Sequence, residues 1–300
     1  MLVTNRILIT QIIGSLGWTL IQVIATSVIS FLLYEYLLKQ FIVIPTFVPS
    51  VLGTAIAFFI GFNNSQAYDR WWEARKIWGS LVNDSRTWGR HVLAHIEAHD
   101  ADTKVIQKQM IHRHIAFLYA LKENLRDSKK KHYKTYLTES EFNEVESHAN
   151  HHNAILNIQS RQLETLLRSE YIDGFRFLEI NKSLIAFSNG MGMSERIKNT
   201  VFPTTYQRYT RLFIWVFIIC VTMVAASMIG VWSILLGTII GSVFVITHSI
   251  GLALLNPFED IKTGVSISQI TRTIEINLLQ TLGQKDVPKP LEIIDNTYIM

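Results

Sequence analysis

Hydrophobic and polar positions along the chain alternate in long blocks rather than in short ones. Trp18 to Leu38 is almost wholly apolar, with one acidic residue near its end, and reaches the ~20 residues needed to cross a bilayer. KQFIVIPTFVP then predicts a short connection, with Lys39, Pro45 and Pro49 as breakers. Val51 to Phe62 resumes the apolar pattern. Leu212 to Leu255 is apolar apart from Ser, Thr and His248, about twice the length of one span, and Gly230 offers the natural turn. The pattern therefore predicts four spans.

Between them the period changes. Leu81 to His99 and Lys104 to Leu125 place apolar residues three and four apart, which predicts amphipathic helices. SKKKHYK (128–134) predicts a basic loop, and TESEFNEVES a helix with Thr138 as its cap and an acidic first turn. Glu164 to Met193 predicts one or two further helices. Val265 to Leu282 predicts an amphipathic helix with Ile267, Ile270 and Ile274 on one side, followed by a proline-extended tail. No repeat is visible. The expectation is an all-α polytopic membrane protein: residues 1–67 hold the N-terminal segment and the first two spans, 68–211 a helical domain, 212–256 the last two spans, and 257–300 a helix and tail.

Composition supports membrane residence. Apolar residues make up 49% and charged ones 17%, with mean hydropathy +0.22, whereas a soluble domain carries about 25% charge. The N-terminus lacks a secretory cleavage pattern and is expected to be retained. The single cysteine, Cys220, excludes an intrachain disulfide and a cysteine-based zinc site. All Lys and Arg except Arg6, Lys39, Lys262, Arg272, Lys285 and Lys289 fall between 68 and 211. Arg70, Arg75, Lys76, Arg208 and Arg211 flank the spans, so the positive-inside tendency puts the middle block and both termini in the cytoplasm of a multi-pass cell-membrane protein. No nucleic-acid signature accompanies this charge.

One stretch joins the two kinds of block without a break: GTAIAFFIGFNNSQAYDRWWEARKIWG, residues 53–79. On a helix Thr54, Phe58 and Phe62 share one face, and Gly53, Ala57 and Gly61 form a small-residue stripe beside it. The phenylalanines could simply face lipid, with the glycines at a helix contact. Asn63, Asn64, Ser65 and Gln66 argue for an aqueous path instead, because polar intramembrane residues face a bundle interior or water. Four of the seven tryptophans lie between Trp71 and Trp88. An interfacial aromatic belt accounts for one or two of them; a helix continuing into a helical domain accounts for all.

AYDRWWEARKIWG resembles the signature of the bestrophin family, carried here by Arg70, Trp71, Trp72, Glu73 and Arg75. LLNPFED (254–260) resembles the family's Asn-Pro-Phe followed by acidic residues, and the four-span layout matches too; the bacterial branch fits best. The resemblance implies a homopentameric ion channel set in membrane lipid and passing monovalent ions, chloride by family and sodium as the alternative. It also implies a hydrophobic neck at Thr54, Phe58 and Phe62, polar lining at Asn63 and Gln66, and a cytosolic aperture at Ile172. Animal relatives carry a calcium clasp; its counterpart is reduced here to Asn256, Glu259 and Asp260, so currents are expected to be calcium-insensitive. No cofactor is implied.

Two rival readings remain. His91–His95 and His148–His151–His152 resemble the boxes of di-iron membrane hydroxylases, although that fold needs a third box. A membrane-anchored structural protein would need only the helices and leaves the polar patch unexplained. No Gly-rich phosphate loop or Ser-His-Asp pattern is present.

Overall fold

The structure is a computed structural model that describes residues 9–96 and 101–293, with side chains from Gly17 onward. The segment before residue 9, His99 and the end of the tail lie outside the described residues. Among the described residues every regular element is helical: α1 (Ile9–Leu33), α2 (Phe47–His95), α3 (Ala101–Leu125), α4 (Glu139–Glu146), α5 (His151–Arg168), α6 (Gly174–Asn199), α7 (Thr204–Ile229), α8 (Ser233–Leu252) and α9 (Ile267–Thr281). A π-helical turn, Tyr34–Leu38, closes α1, and short 3-10 turns fall at His132–Tyr136 and Gly230–Trp232. The chain forms two compact units, one of Trp71–Thr200 with the stretch from Asn256 and the other of the chain up to Arg70 with Val201–Leu255.

In the second of these units, α1, the first part of α2, α7 and α8 pack around Val23, Ile56, Ile60, Ile214, Phe217 and Ile218. Among the described residues three helical segments are long and apolar enough to cross a membrane: Gly17–Leu38, Phe47–His95 and Thr204–Leu252. The last consists of α7 and α8, parted at Gly230, whose φ of 57° suits a residue without a side chain. Gly241 of α8 lets the helices approach closely, since a Cβ there would lie 2.8 Å from Ile218 and 3.0 Å from Val23. Pro49, expected to break the chain, instead sits in the first turn of α2, where a missing N–H costs nothing.

The other unit is built around α3, which packs against α5, α6 and α9. Its core takes Trp78, Trp88 and Val92 from α2, Phe117 from α3, Phe187 from α6 and Ile274 from α9. Caps set the helix starts. Thr138 closes a capping box with Glu141 on α4; Asn150 and Asp173 accept from Asn153 and Arg176 to start α5 and α6. The predicted stretch Glu164–Met193 resolves into two helices because the chain turns at Glu170, where φ is 59°. On α9, Ile267 and Ile274 are buried and Ile270 half-buried, with Thr271 and Leu278 completing the inward face. Beyond Gly283 the described tail has no regular structure.

The buried polar groups of this unit are largely paired. Glu275 accepts hydrogen bonds from Tyr119 at 2.7 Å and from Tyr136, and lies 3.0 Å from Arg272. Burial first, and then the adjoining carboxylate, push both tyrosine hydroxyls above their usual range. His114 is enclosed by Trp88, Phe117 and Phe187, with one ring nitrogen 2.8 Å from Ser85 Oγ. Burial lowers its pKa to about 3, so it is neutral at physiological pH.

Candidate functional site

The sequence singles out α2 between Gly53 and Gln66, and its two faces differ sharply. Ile56, Ile60, Asn63 and Ala67 recur at helical spacing and are all buried. Thr54, Phe58, Phe62 and Gln66 lie on the other side and are exposed, Phe58 at 72% and Phe62 at 52%. Large apolar side chains thus stand uncovered in a row on the side of the helix opposite its packed face. The ring of Phe58 meets Phe59 edge-on at 6.2 Å. Phe59 is in turn edge-on to Tyr206 at 5.7 Å, and the Tyr206 hydroxyl donates to the Phe59 carbonyl at 3.1 Å. This brace, contributed by α7, is not legible from α2 alone. Thr54 donates its hydroxyl to the Ser50 carbonyl at 2.9 Å, which leaves its methyl group as the part free to face outward.

The polar patch divides between these faces. Asn63 was expected to line the exposed face, but it is fully buried, one step of about 100° round the helix from Phe62. Neither polar atom of its amide has a partner. Asn64 donates to the Thr247 carbonyl of α8 at 2.9 Å. Gly251 permits this approach, because a Cβ there would fall 1.9 Å from Asn64 Oδ1. Asn64 therefore joins α2 to α8, Asn63 is buried beside Gly251 of the same helix, α8, and only Ser65 and Gln66 remain on the open side. The small-residue stripe is also divided: Gly53 faces Phe217, whereas Gly61 faces open space.

Ile172, the expected cytosolic aperture, is buried in this structure. It is only 3% exposed and belongs to the core of its unit, because the turn before Asp173 tucks it inward. The exposed apolar residue of this segment is Phe175, at 84%. The motif residues are placed as follows. Trp71 donates to the Thr263 carbonyl at 2.8 Å, and its ring stacks with that of Trp72. Glu73 pairs with Arg196 at 3.0 Å. Arg75 folds back over Gly79 and, with Trp71, Trp72 and Gly264 to Ser266, lines an open cavity of about 400 Å³. Arg70 ends the α2 segment of the other unit.

The residues at the clasp position do not fit calcium. Asp260 is 3.0 Å from Arg126, and Glu259 accepts from Asn256 at 2.6 Å. The carbonyls of Pro257, Glu259 and Ile261 converge on Gly264, but each already accepts a backbone N–H. Calcium asks for about six to eight oxygens including several carboxylates. The histidines likewise disperse. The rings of His91 and His95 lie 5.0 Å apart and tilted, while His152 bonds Glu195 at 2.7 Å, His151 bonds Tyr133 at 3.0 Å and His148 bonds the Glu144 carbonyl at 2.9 Å. Among the described residues no group of three or more His, Cys, Asp or Glu is placed to hold a metal.

The exposed aromatic row and the Arg-Trp-Trp-Glu run thus lie on one continuous helix, α2. The family described as bacterial/fungal bestrophin protein matches residues 2–280. The chain belongs to the bestrophin family. Its relatives include the voltage-dependent anion channel-forming protein YneE of Salmonella typhi, 27% identical over 80% of this chain and 77% of that protein. YneE of Escherichia coli K12 is 26% identical over the same shares. The voltage-dependent anion channel-forming protein RSc3414 of Ralstonia nicotianae is 25% identical over 78% of this chain and 76% of its own. A crystal structure of a bacterial bestrophin homolog from Klebsiella pneumoniae shares the fold, with a TM-score of 0.84 at 23% identity over 90% of this chain and 100% of that one. Bestrophins are not an enzyme family, and the di-iron reading is withdrawn: the family assignment and the dispersed histidines both oppose it.

Proposed function

We propose that this bestrophin is a homopentameric channel for monovalent anions, chloride foremost, in the cell membrane. The observation that carries the reading is the uncovered row Thr54–Phe58–Phe62 on a helix whose opposite face is packed. An apolar row on a bundle helix needs lipid or a constriction to face, and five copies around an axis would form a neck. Such a neck gates by dewetting, because a narrow apolar tube holds water poorly. Gln66 follows the row as polar lining, and the second constriction falls to the exposed Phe175 in place of Ile172. The four spans are α1, the first part of α2, α7 and α8. Residues 68–211 and 257–300, with both termini, are cytoplasmic, consistent with the concentration of Lys and Arg between 68 and 211. Opening does not require calcium, since the carboxylates at the clasp position are already engaged.

The names of the relatives favour an anion. The exposed phenyl rings supply the competing reading, a sodium-type cation channel, because ring faces attract cations and ring edges attract anions. Reconstitution in planar bilayers under asymmetric NaCl decides between them. A reversal potential with the sign of the chloride gradient is expected; the sodium sign would overturn the anion assignment, and no current would overturn the channel. Mass measurement of the detergent complex tests the pentamer.

A further inference from the structure

A cavity of about 610 Å³ opens among α1, α7 and α8, and no residue of α2 lines it. It is therefore separate from the exposed row on α2. Gln22 and Thr26 come from α1, Arg211 and Trp215 from α7, and His248 and Ser249 from α8. His248 is only 3% exposed, yet neither ring nitrogen has a hydrogen-bond partner. Arg211 is exposed and makes no hydrogen bond or ion pair with any described residue. No carboxylate lines the cavity. In the stretches that make up this unit only Glu35 and Asp69 are acidic, and Glu35 is held by Lys39 at 2.8 Å. A guanidinium and an unpaired imidazole thus share one cavity with no negative charge supplied by the chain. A buried imidazole without a hydrogen-bond partner is costly, and an unpaired guanidinium beside it favours an anion that can satisfy both.

We propose that this cavity binds the phosphate headgroup of an anionic phospholipid. The proposal rests on the reading of this unit as membrane-spanning. Arg211 supplies the charge and a bidentate fork, the geometry that suits phosphate oxygens. His248 donates an N–H to the same oxyanion, which pairs an otherwise orphaned buried group. Arg211 lies seven residues into α7, about 10 Å from its start, a depth from which a long side chain reaches the headgroup level. The rest of the lining includes Ile29, Trp215 and Leu252, apolar surface that an acyl chain covers and a hydrated inorganic ion does not.

Trp215 makes the site readable. The full chain is reconstituted into vesicles containing bromine-labelled phosphatidylglycerol or bromine-labelled phosphatidylcholine, and the quenching lost in Trp215→Phe is taken as the signal from the cavity. Flotation with the vesicles checks insertion first. Phosphatidylglycerol is expected to be preferred about fivefold or more, the scale of one basic residue acting on an anionic headgroup. Arg211→Gln should bring the preference close to parity, Arg211→Lys should keep most of it, and His248→Asn should reduce it. Equal quenching by the two lipids, or a preference unchanged in Arg211→Gln, overturns the site. Reversal of the quenching by millimolar free glycerol phosphate would mean that a soluble oxyanion, not a lipid, is the occupant, and overturns the proposal. A chain that fails to float overturns the membrane reading itself, an outcome separate from a floating chain without lipid preference.

Discussion

Phe58→Ala separates the two faces of α2 more sharply than any other single change. Phe58 is 72% exposed in the protomer and touches chiefly Phe59, so its removal should cost the protomer under about 1 kcal/mol, as exposed substitutions do. Ile60, two residues on and 2% exposed, packs in the core with Ile56 and Phe217. Ile60→Ala should cost about 2–5 kcal/mol through lost burial and the cavity left behind. On conduction the order reverses. An apolar side chain of this size costs about 1.5–3 kcal/mol to keep against water. Removing even one ring's worth of that surface from a neck shifts the wet population about tenfold, at roughly 1.4 kcal/mol per decade; five subunits make this a lower bound. Thermal unfolding of detergent-purified protein and bilayer currents at matched protein density measure the two effects. A large rise in current from Phe58→Ala with little loss of stability, and the opposite pair for Ile60→Ala, is expected. A Phe58→Ala protein as unstable as Ile60→Ala, or one whose current is unchanged, would refute the assignment of the exposed face as a neck.

Other consequences follow from the same geometry. Thr54→Ile adds apolar bulk at the outer turn of the row and should lower bilayer current several-fold; a channel that conducts more than wild type would sink the neck reading at that level. Currents should be unchanged between chelator and micromolar calcium, in wild type and in Glu259→Gln alike, and activation by calcium would show that the Asn256–Asp260 segment binds it after all. His114 makes the helical unit acid-sensitive. Its folded pKa of about 3 lies below the ordinary 6.5, so the unfolded state takes up the proton first, and stability falls by up to about 1.4 kcal/mol per pH unit from near pH 6.5 down towards pH 3. His114→Phe should flatten part of that slope in pH-resolved unfolding; an unaltered slope would assign the acid loss to other groups.

What is legible in the chain follows from the range of the interactions involved. Helix type, the turn at Gly230 and the cap at Thr138 depend on neighbours within a few residues, and the sequence pattern carries them. The buried tryptophans Trp78 and Trp88 are also within reach, since an interfacial belt does not extend that far along a helix. Pro49 misleads because its effect depends on its position in the turn, and a proline in the first turn is compatible with a helix. Ile172 misleads for a different reason. An apolar residue beside Asp173 and Gly174 looks the same in sequence whether the turn points it inward or outward, and only the packing of the core decides.

Asn63 shows most clearly where periodicity needs tertiary information. Four consecutive polar residues after Phe62 read as one wet patch, yet a helix cannot present four consecutive side chains to one side. Two of the four turn towards α8, and Gly251 is the residue that lets Asn64 reach the Thr247 carbonyl. The signal is therefore available in principle: a glycine on a neighbouring apolar helix, facing an asparagine with no other place to bond. The consequence for the pore is specific. If the exposed face is the proposed neck, the polar lining below the phenylalanines reduces to Ser65 and Gln66, neither of which carries charge, and ion sign at this level follows how the rings of Phe58 and Phe62 present their edges or faces. Because Phe59 meets Phe58 edge-on and is itself braced by Tyr206, the orientation of the Phe58 ring is governed in part from α7, a helix that contributes nothing to the exposed row itself.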